Sequence, residues 1–339
     1  MAPSTTPQLT VLFSAPYMIP FLDCFMPIFE RCNIRLIVPE VKERLDEDRL
    51  MEYAGQFDGA LSGDDQFTPR VLEVCAPRLK IISKWGTGID SIDKTACDRL
   101  GIKVTRTANA FTMPVADTAM GYILAFARRQ PWMDRDMKAG SWDKIPGRSL
   151  NECTLGVVGV GNIGKAIVRR ARAFGMTILG NDIIEIEPDF VIENHVEMTC
   201  LEDLLSRSDF VTLNCDLNPT SYHLINARTL ACMKPSGTLI NVARGQVVDE
   251  PALVDALQRG VIAGMATDVY EVEPLPVDSP LRQMDNVLLA PHNANSSPSA
   301  WERVHWNTLR NLLEGLDIEL TSELVSLVKL PIVRSPHGC

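Results

Sequence analysis

A glycine triplet with a defined neighbourhood constrains this chain more than any other feature. Gly159-Val-Gly161-Asn-Ile-Gly164 follows the apolar run Leu155 to Val158 and opens a helical pattern that ends near Phe174 and Gly175. A G-x-G-x-x-G sequence alone often marks only a turn, but between a strand and a helix it is the setting that binds a dinucleotide. Gly159 permits the tight turn, Gly161 lets backbone approach a pyrophosphate, and Gly164 lets the helix close on the strand. The helix start, with Asn162 and Ile163 in its first turn, offers backbone N–H groups to phosphate. The next apolar strand ends at Asp182, about 20 residues further on, where a carboxylate accepts hydrogen bonds from the adenosine ribose. Glu185 and Glu187 follow it. Carboxylates there repel a 2'-phosphate, so NAD is expected in preference to NADP.

The rest of the chain organises around that motif. Its 339 residues exceed what one hydrophobic core usually supports, which favours two domains. From Leu9 to Val104, the runs LTVLFSA, IRLIV, DGALS, LKIIS and IKVT alternate with amphipathic helical patterns, the signature of a parallel sheet wrapped by helices. Phe111 to Arg129 then reads as one long helix, with Thr112 as N-cap and Pro114 in the first turn. A second alternating series supplies TLGVVG, MTILGN, DFVTLN, TLINVA, AGMATDVY and NVLLA. A last helical pattern, from Pro298 to about Gly315, can return the chain to the first unit. The expected division is 1–112 for the first part of one domain, 113–297 for the dinucleotide domain, and 298–339 for the returning helix and tail.

Charge and composition exclude several functions. A net charge of -10 with no compensating basic stripe opposes nucleic acid. No apolar run approaches the roughly 20 residues that span a bilayer, and Ala2 to Gln8 lacks the basic-then-apolar order of a signal peptide. A cytoplasmic protein is expected. The nine cysteines include no C-x-x-C pair, so neither a redox motif nor a metal site is indicated. They read as reduced, mostly buried thiols, with Cys339 a free thiol on the tail.

Three further strands end in residues able to do chemistry: NVARGQVVDE with Arg244, DVYEVEPLP with Glu273 and LLAPHNA with His292. Ligands collect at such strand ends in open α/β sheets, although each residue alone is ordinarily a surface charge, a loop acid or a structural imidazole. Together with KWGTGIDSID (84–93), VADTAMGYILA (115–125), LGVVGVGNIGKA (155–166), MKPSGTLINVARGQVVDEPALVDAL (233–257) and ATDVYEVEPLP (266–276), they form a consistent set. Over roughly Leu61 to Leu312 the sequence resembles the D-isomer-specific 2-hydroxyacid dehydrogenase family, including its phosphoglycerate dehydrogenase-like members.

That resemblance implies a fold of two doubly wound parallel-sheet α/β domains, with a Rossmann NAD domain inserted in a discontinuous, flavodoxin-like substrate domain. It implies NAD-dependent hydride transfer at C2 of a small 2-oxo or 2-hydroxy acid, and a homodimer. Arg244 takes the role of binding the substrate carboxylate and carbonyl, for which a planar guanidinium fork is suited and a lysine is not. His292 becomes the proton donor in reduction and acceptor in oxidation, with Glu273 against its second ring nitrogen. The backbone N–H groups of Thr87 and Gly88 grip the carboxylate, with Trp85 beside the substrate. Asp268 faces the nicotinamide carboxamide, and Ala243 belongs to the cofactor contacts. A buried structural cap is the competing account of Asp268. Asp64, Trp301 and Asn293 are further candidates for the pocket lining. The other histidines, His195, His223, His305 and His337, read as structural or surface residues.

The sequence departs from the family pattern in two places. Asp216 and Ser221 in NCDLNPTSYHL stand where Pro and Thr are common, and Asn293-Ala294-Asn295-Ser296 replaces a glycine-rich continuation after His292. Two alternative functions remain open at this level. NADH-sensing corepressors resemble the same fold and keep its catalytic residues, although they usually carry longer tails. Formate- and phosphite-type dehydrogenases use a related arginine and histidine, but the first type replaces the acid that Glu273 retains and the second favours lysine at Thr87.

Overall fold

The computed structural model describes residues 8–330. The expectations for Cys339, His337 and most of the Ala2 to Gln8 stretch lie outside them. The chain divides into two compact units, one running through Phe111 and resuming at Ser297, the other spanning Thr112–Ser296.

The first unit holds five parallel strands, β1 (Leu9–Phe13), β2 (Ile34–Ile37), β3 (Gly59–Ser62), β4 (Ile81–Lys84) and β5 (Lys103–Arg106), in the order β2-β1-β3-β4-β5. This is the flavodoxin-like order of a doubly wound sheet. Every residue of β3 and β4 is buried, as expected of parallel strands covered on both faces. Short helices link them, each stopped by local chemistry. The Lys94–Leu100 helix starts on Asp93, whose carboxylate accepts the Ala96 N–H at 2.7 Å, and ends at Gly101 with φ of 71°. The Pro298–Gly315 helix lies against this sheet. A Cβ on Gly315 would sit 2.0 Å from Ile81 Cδ1, so only glycine permits that approach. The returning segment is therefore part of the first unit's core.

The second unit holds β6 (Thr154–Val158), β7 (Thr177–Asn181), β8 (Val196–Met198), β9 (Phe210–Leu213), β10 (Thr238–Asn241), β11 (Gly264–Thr267) and β12 (Val287–Leu289). All pair in parallel, in the order β12-β11-β10-β9-β6-β7-β8. The order reverses between β6 and β9, which is the switch point where a dinucleotide binds in such sheets. Both sheets have the doubly wound architecture read from the strand alternation.

Several local expectations need correction. The edge strand β8, Val-Glu-Met, has only one buried residue. It is too short and too polar to show an alternation of its own. The long helix covers Thr112–Arg128, with Thr112 inside it rather than capping it. A second helix, Gln130–Lys138, follows Arg129, whose φ of 58° breaks the helical path. Only Cys75, Cys97 and Cys153 are buried among the described cysteines. All the described cysteines are free thiols, and burial pushes Cys97 up to about 11. Among the described residues no helix is long and apolar enough to cross a membrane, and no cluster of acids, histidines and cysteines is arranged to hold a metal ion.

Candidate active site

The glycine turn leaves β6 and enters the Asn162–Ala173 helix. Gly159 has φ of 86°, and a Cβ there would lie 2.6 Å from Cys215 N, so the residue meets both a backbone and a space requirement. A Cβ on Gly164 would lie 2.1 Å from Gly159 O, which is the close helix-to-turn approach the motif needs. At Gly161, by contrast, a Cβ would meet nothing within 4 Å. Backbone there faces open space at a helix N-terminus, and these features together fit a pyrophosphate. Asp182 closes the turn from β7: one carboxylate oxygen accepts the Val160 N–H at 2.7 Å and the other the Ile184 N–H at 3.2 Å. Beside it, a cavity of about 550 Å³ is lined by Asp182, Ile184, Ile186, Val191, Ile192 and Met198. Glu185 and Thr199 also line it; apolar side chains beside the Asp182 acid suit a flat, weakly polar base next to a ribose.

Arg244 stands just after β10 and begins a short 3-10 turn, Gly245–Val247. Its backbone is fixed by Asn241, whose amide donates to Arg244 O at 2.9 Å and whose carbonyl oxygen accepts the Ala243 N–H at 3.0 Å. The guanidinium itself donates to Ala243 O at 2.8 Å. A Cβ on Gly245 would lie 1.8 Å from the Tyr270 carbonyl carbon. Gly245 therefore locks the arginine loop against the loop that carries Glu273. Sequence reasoning assigned nothing to Asn241, Gly245 or Tyr270; the N-x-A-R-G spacing was the available signal for the first two.

Glu273 and His292 come together after β11 and β12. His292 Nδ1 lies 2.9 Å from Glu273 Oε2, while Glu273 Oε1 accepts the Tyr270 N–H at 2.9 Å. An ionised carboxylate can only accept, so this network assigns the proton to Nδ1 and leaves Nε2 as the nitrogen that exchanges a proton with a reactant. Both side chains are about one-third exposed, at 33% and 31%, enough for a reactant to reach them. The backbone holds the imidazole in an unusual pose, with His292 φ at 52° and its N–H donating to Asp268 O at 2.8 Å. Asp268 is buried, and its carboxylate accepts the N–H groups of Asn293 at 2.7 Å and Ala294 at 2.8 Å. Burial pushes its carboxyl up, and those two hydrogen bonds oppose the shift. Asp268 thus caps the histidine loop.

In the first unit, the segment after β4 is tied down by several hydrogen bonds, beginning with the Trp85 N–H, which donates to Ser62 O at 2.8 Å. Gly86 O accepts the Thr107 N–H at 2.9 Å, and Thr87 O accepts from the Arg106 guanidinium at 3.2 Å. The Thr87 hydroxyl donates to Thr107 O at 3.0 Å. Trp85, expected beside the substrate, is only 4% exposed. Its ring is enclosed by Tyr17, Phe111, Trp301 and His305, with centroids 5.2 to 5.9 Å away. It is an anchor of the loop rather than a wall, because the aromatic core of its own unit claims its faces. Asp64 pairs with the buried Lys84 ammonium at 3.0 Å.

The remaining histidines differ more than their sequence settings suggest. His195 is an exposed helix-ending residue with φ of 51°. His223 stacks on Tyr222 and pairs through Nε2 with Glu271, a second histidine–carboxylate contact that sequence distance concealed. His305 is buried and accepts the Trp85 indole N–H. At the two departures, the Ser221 hydroxyl donates to Asp216 O at 2.6 Å, and Ser296 donates to the Asn293 side chain. Both loops are thus closed by their own polar groups.

Residues 120–294 match the model of the D-isomer specific 2-hydroxyacid dehydrogenase NAD binding domain. The chain is 40% identical to a glyoxylate reductase of Thermococcus onnurineus over 315 residues, covering 90% of this chain and 93% of that protein. It belongs to the D-isomer-specific 2-hydroxyacid dehydrogenase family. As a member of that family the protein is an NAD-dependent oxidoreductase acting on 2-hydroxy acids. A hydroxypyruvate reductase of Thermotoga maritima is 36% identical over 282 residues, 81% of this dehydrogenase and 90% of the relative. Among solved structures, the D-lactate dehydrogenase of Aquifex aeolicus complexed with NAD and lactic acid superposes with a TM-score of 0.79 at 28% identity, covering 91% of this dehydrogenase and 97% of that chain.

Proposed function

We propose that this dehydrogenase reduces a small 2-oxo acid of the glyoxylate or hydroxypyruvate kind, with His292, Glu273 and Arg244 as its catalytic residues. The observation that carries the reading is the His292–Glu273 contact at 2.9 Å, with the second glutamate oxygen held by the Tyr270 N–H. A bound nicotinamide supplies the hydride that goes to C2. His292 delivers a proton from Nε2 to the carbonyl oxygen, and Glu273 keeps the ring oriented and favours its charged form. Arg244 binds the substrate carboxylate and stabilises the negative charge that grows on the carbonyl oxygen. In the oxidation direction the same His292 nitrogen accepts the hydroxyl proton.

The cofactor assignments follow the turn. Gly159, Gly161, Asn162, Ile163 and Gly164 hold the pyrophosphate, and Asp182 receives the ribose hydroxyls. Ala243 and Asp268 serve the nicotinamide side; each Asp268 oxygen that accepts a backbone N–H keeps a second lone pair. The backbone N–H groups of Thr87 and Gly88 hold the substrate carboxylate. Support for that role is the fastening of Gly86 O by the Thr107 N–H and of Thr87 O by the Arg106 guanidinium, which fixes the peptide planes that carry the Thr87 and Gly88 N–H groups. We further assign a homodimer, to be checked by light scattering of the purified protein, and a cytoplasmic location, to be checked by cell fractionation.

The test is NADH oxidation followed at 340 nm across glyoxylate, hydroxypyruvate, 3-phosphohydroxypyruvate and aromatic 2-oxo acids, with NADPH in parallel. Turnover is expected with the two smallest acids and NADH. NADH binding without turnover of any of these acids would overturn the reading and favour a sensing protein.

A further inference from the structure

Within the first unit, two polar contacts fasten the end of β4 to the Pro298–Gly315 helix. The Ser83 hydroxyl donates to Thr308 O at 2.7 Å, and Trp85 Nε1 donates to His305 Nδ1 at 2.8 Å. His305 and Thr308 lie three residues apart on the helix, hence on one face. Both members of the second contact are almost fully buried, at 4% for Trp85 and 2% for His305. An indole N–H is a donor only, so its partner nitrogen must carry a lone pair and the His305 ring is neutral with its proton on Nε2. Aromatic neighbours fill the space around the pair. Phe21 and Phe25 lie 5.1 and 6.3 Å from the imidazole, while Tyr17 and Phe111 flank the indole at 5.2 and 5.6 Å. In such surroundings neither polar group can exchange its partner for water without opening the core.

This bond sits at the first residue of the Trp85–Gly88 segment. Gly86, with φ of 118°, bends the backbone immediately after it. The Thr87 and Gly88 N–H groups share peptide planes with Gly86 O and Thr87 O, which the Thr107 N–H and the Arg106 guanidinium hold; the Trp85 indole fixes the other end of this segment, before the flexible Gly86. We propose that His305 is a positioning residue for substrate binding: by holding the Trp85 indole it fixes the start of the segment whose Thr87 and Gly88 N–H groups meet a substrate carboxylate. The proposal rests on the reading that this segment holds the carboxylate. It makes the chain's last long helix, far along the sequence from the loop, a determinant of substrate affinity and not of cofactor binding, since the residues assigned to the dinucleotide all lie in the other unit.

His305→Leu removes the acceptor while keeping an apolar side chain, and leaves the indole N–H buried without a partner. It is expected to raise KM for the 2-oxo acid about tenfold, with kcat within about twofold of the native enzyme. The NADH dissociation constant is expected to stay unchanged. His305→Asn, whose carbonyl oxygen can take the place of Nδ1, is expected to restore KM to within about threefold. Trp85→Phe deletes the donor and keeps an aromatic ring; it should reproduce the KM of His305→Leu, and the double variant should be no worse than either single one. An unchanged KM in His305→Leu, an Asn variant as impaired as the Leu variant, additive effects, or parallel loss of kcat and NADH affinity would each overturn the proposal. Should His305→Leu fail to fold, the Asn and Trp85→Phe variants decide the question by the same KM comparison. Gly88→Pro separates the two levels, because it deletes one of the assigned N–H donors. A KM that does not respond to Gly88→Pro removes the loop reading itself. A KM that responds to Gly88→Pro but not to His305→Leu removes only the positioning role.

Discussion

Glu273 touches His292 with one carboxylate oxygen and the Tyr270 N–H with the other, each at 2.9 Å. The acid is therefore fixed by backbone before it orients the imidazole. Replacing it by glutamine keeps the size but offers an amide donor to Nδ1 in one of its two orientations, and removes the charge that favours imidazolium. Glu273→Gln is expected to lower kcat for reduction by roughly 10²-fold, with NADH affinity by fluorescence titration unchanged. A kcat equal to that of the native enzyme would remove Glu273 from the proton-transfer machinery.

Gly245 is the point where the arginine loop packs against the glutamate loop. A Cβ there would lie 1.8 Å from the Tyr270 carbonyl carbon, 2.0 Å from its oxygen and 2.3 Å from Glu271 N, all backbone atoms that cannot turn aside. Gly245→Ala should push the two loops apart and cost about 10²-fold in kcat/KM, with a lowered Tm. Native kinetics in this variant would mean that Arg244 and Glu273 are positioned independently.

Asp182 serves the glycine turn as well as any ribose, through the Val160 and Ile184 N–H groups. Asp182→Asn keeps one acceptor, for the shorter Val160 N–H bond, gives up the Ile184 bond, and removes the negative charge. The preference for NADH over NADPH, taken as the ratio of kcat/KM values, is expected to fall at least roughly tenfold. An unaltered ratio would show that Asp182 is only a structural clasp.

His305 also predicts a pH dependence of stability. Burial lowers its value from 6.5 to about 4, so between those limits the unfolded chain binds a proton that the folded chain refuses. Its contribution is fully present above about pH 6.5 and is lost as pH falls toward 4, by on the order of 3 kcal/mol. His305→Asn cannot titrate, so the decline of Tm over that interval should be shallower than in the native enzyme. Parallel declines would show that the buried imidazole does not govern this limb.

The sequence by itself determined the periodic strand-and-helix alternation, the glycine turn, the acid that ends the following strand, and the order Arg244, Glu273, His292. These are legible because each depends on local chemistry: a positive φ and a missing Cβ at Gly159, an apolar run before it, a reactive side chain just after a strand. The apolar stripe of the Pro298–Gly315 helix was legible too, since Val304, Leu309 and Leu312 stand at helical spacing. Tertiary structure decided what depends on distance across the chain. Tyr270 as the clasp of Glu273, Gly245 against the Tyr270 backbone, and Asp268 as the cap of the histidine loop all arise where separate strand ends converge. Trp85 looked like a pocket residue because it stands beside a glycine-rich loop, yet His305, 220 residues away, takes its indole N–H. Side-chain identity in a sequence fixes which hydrogen bonds are possible; only packing, by excluding water and bringing distant partners together, selects the ones that form.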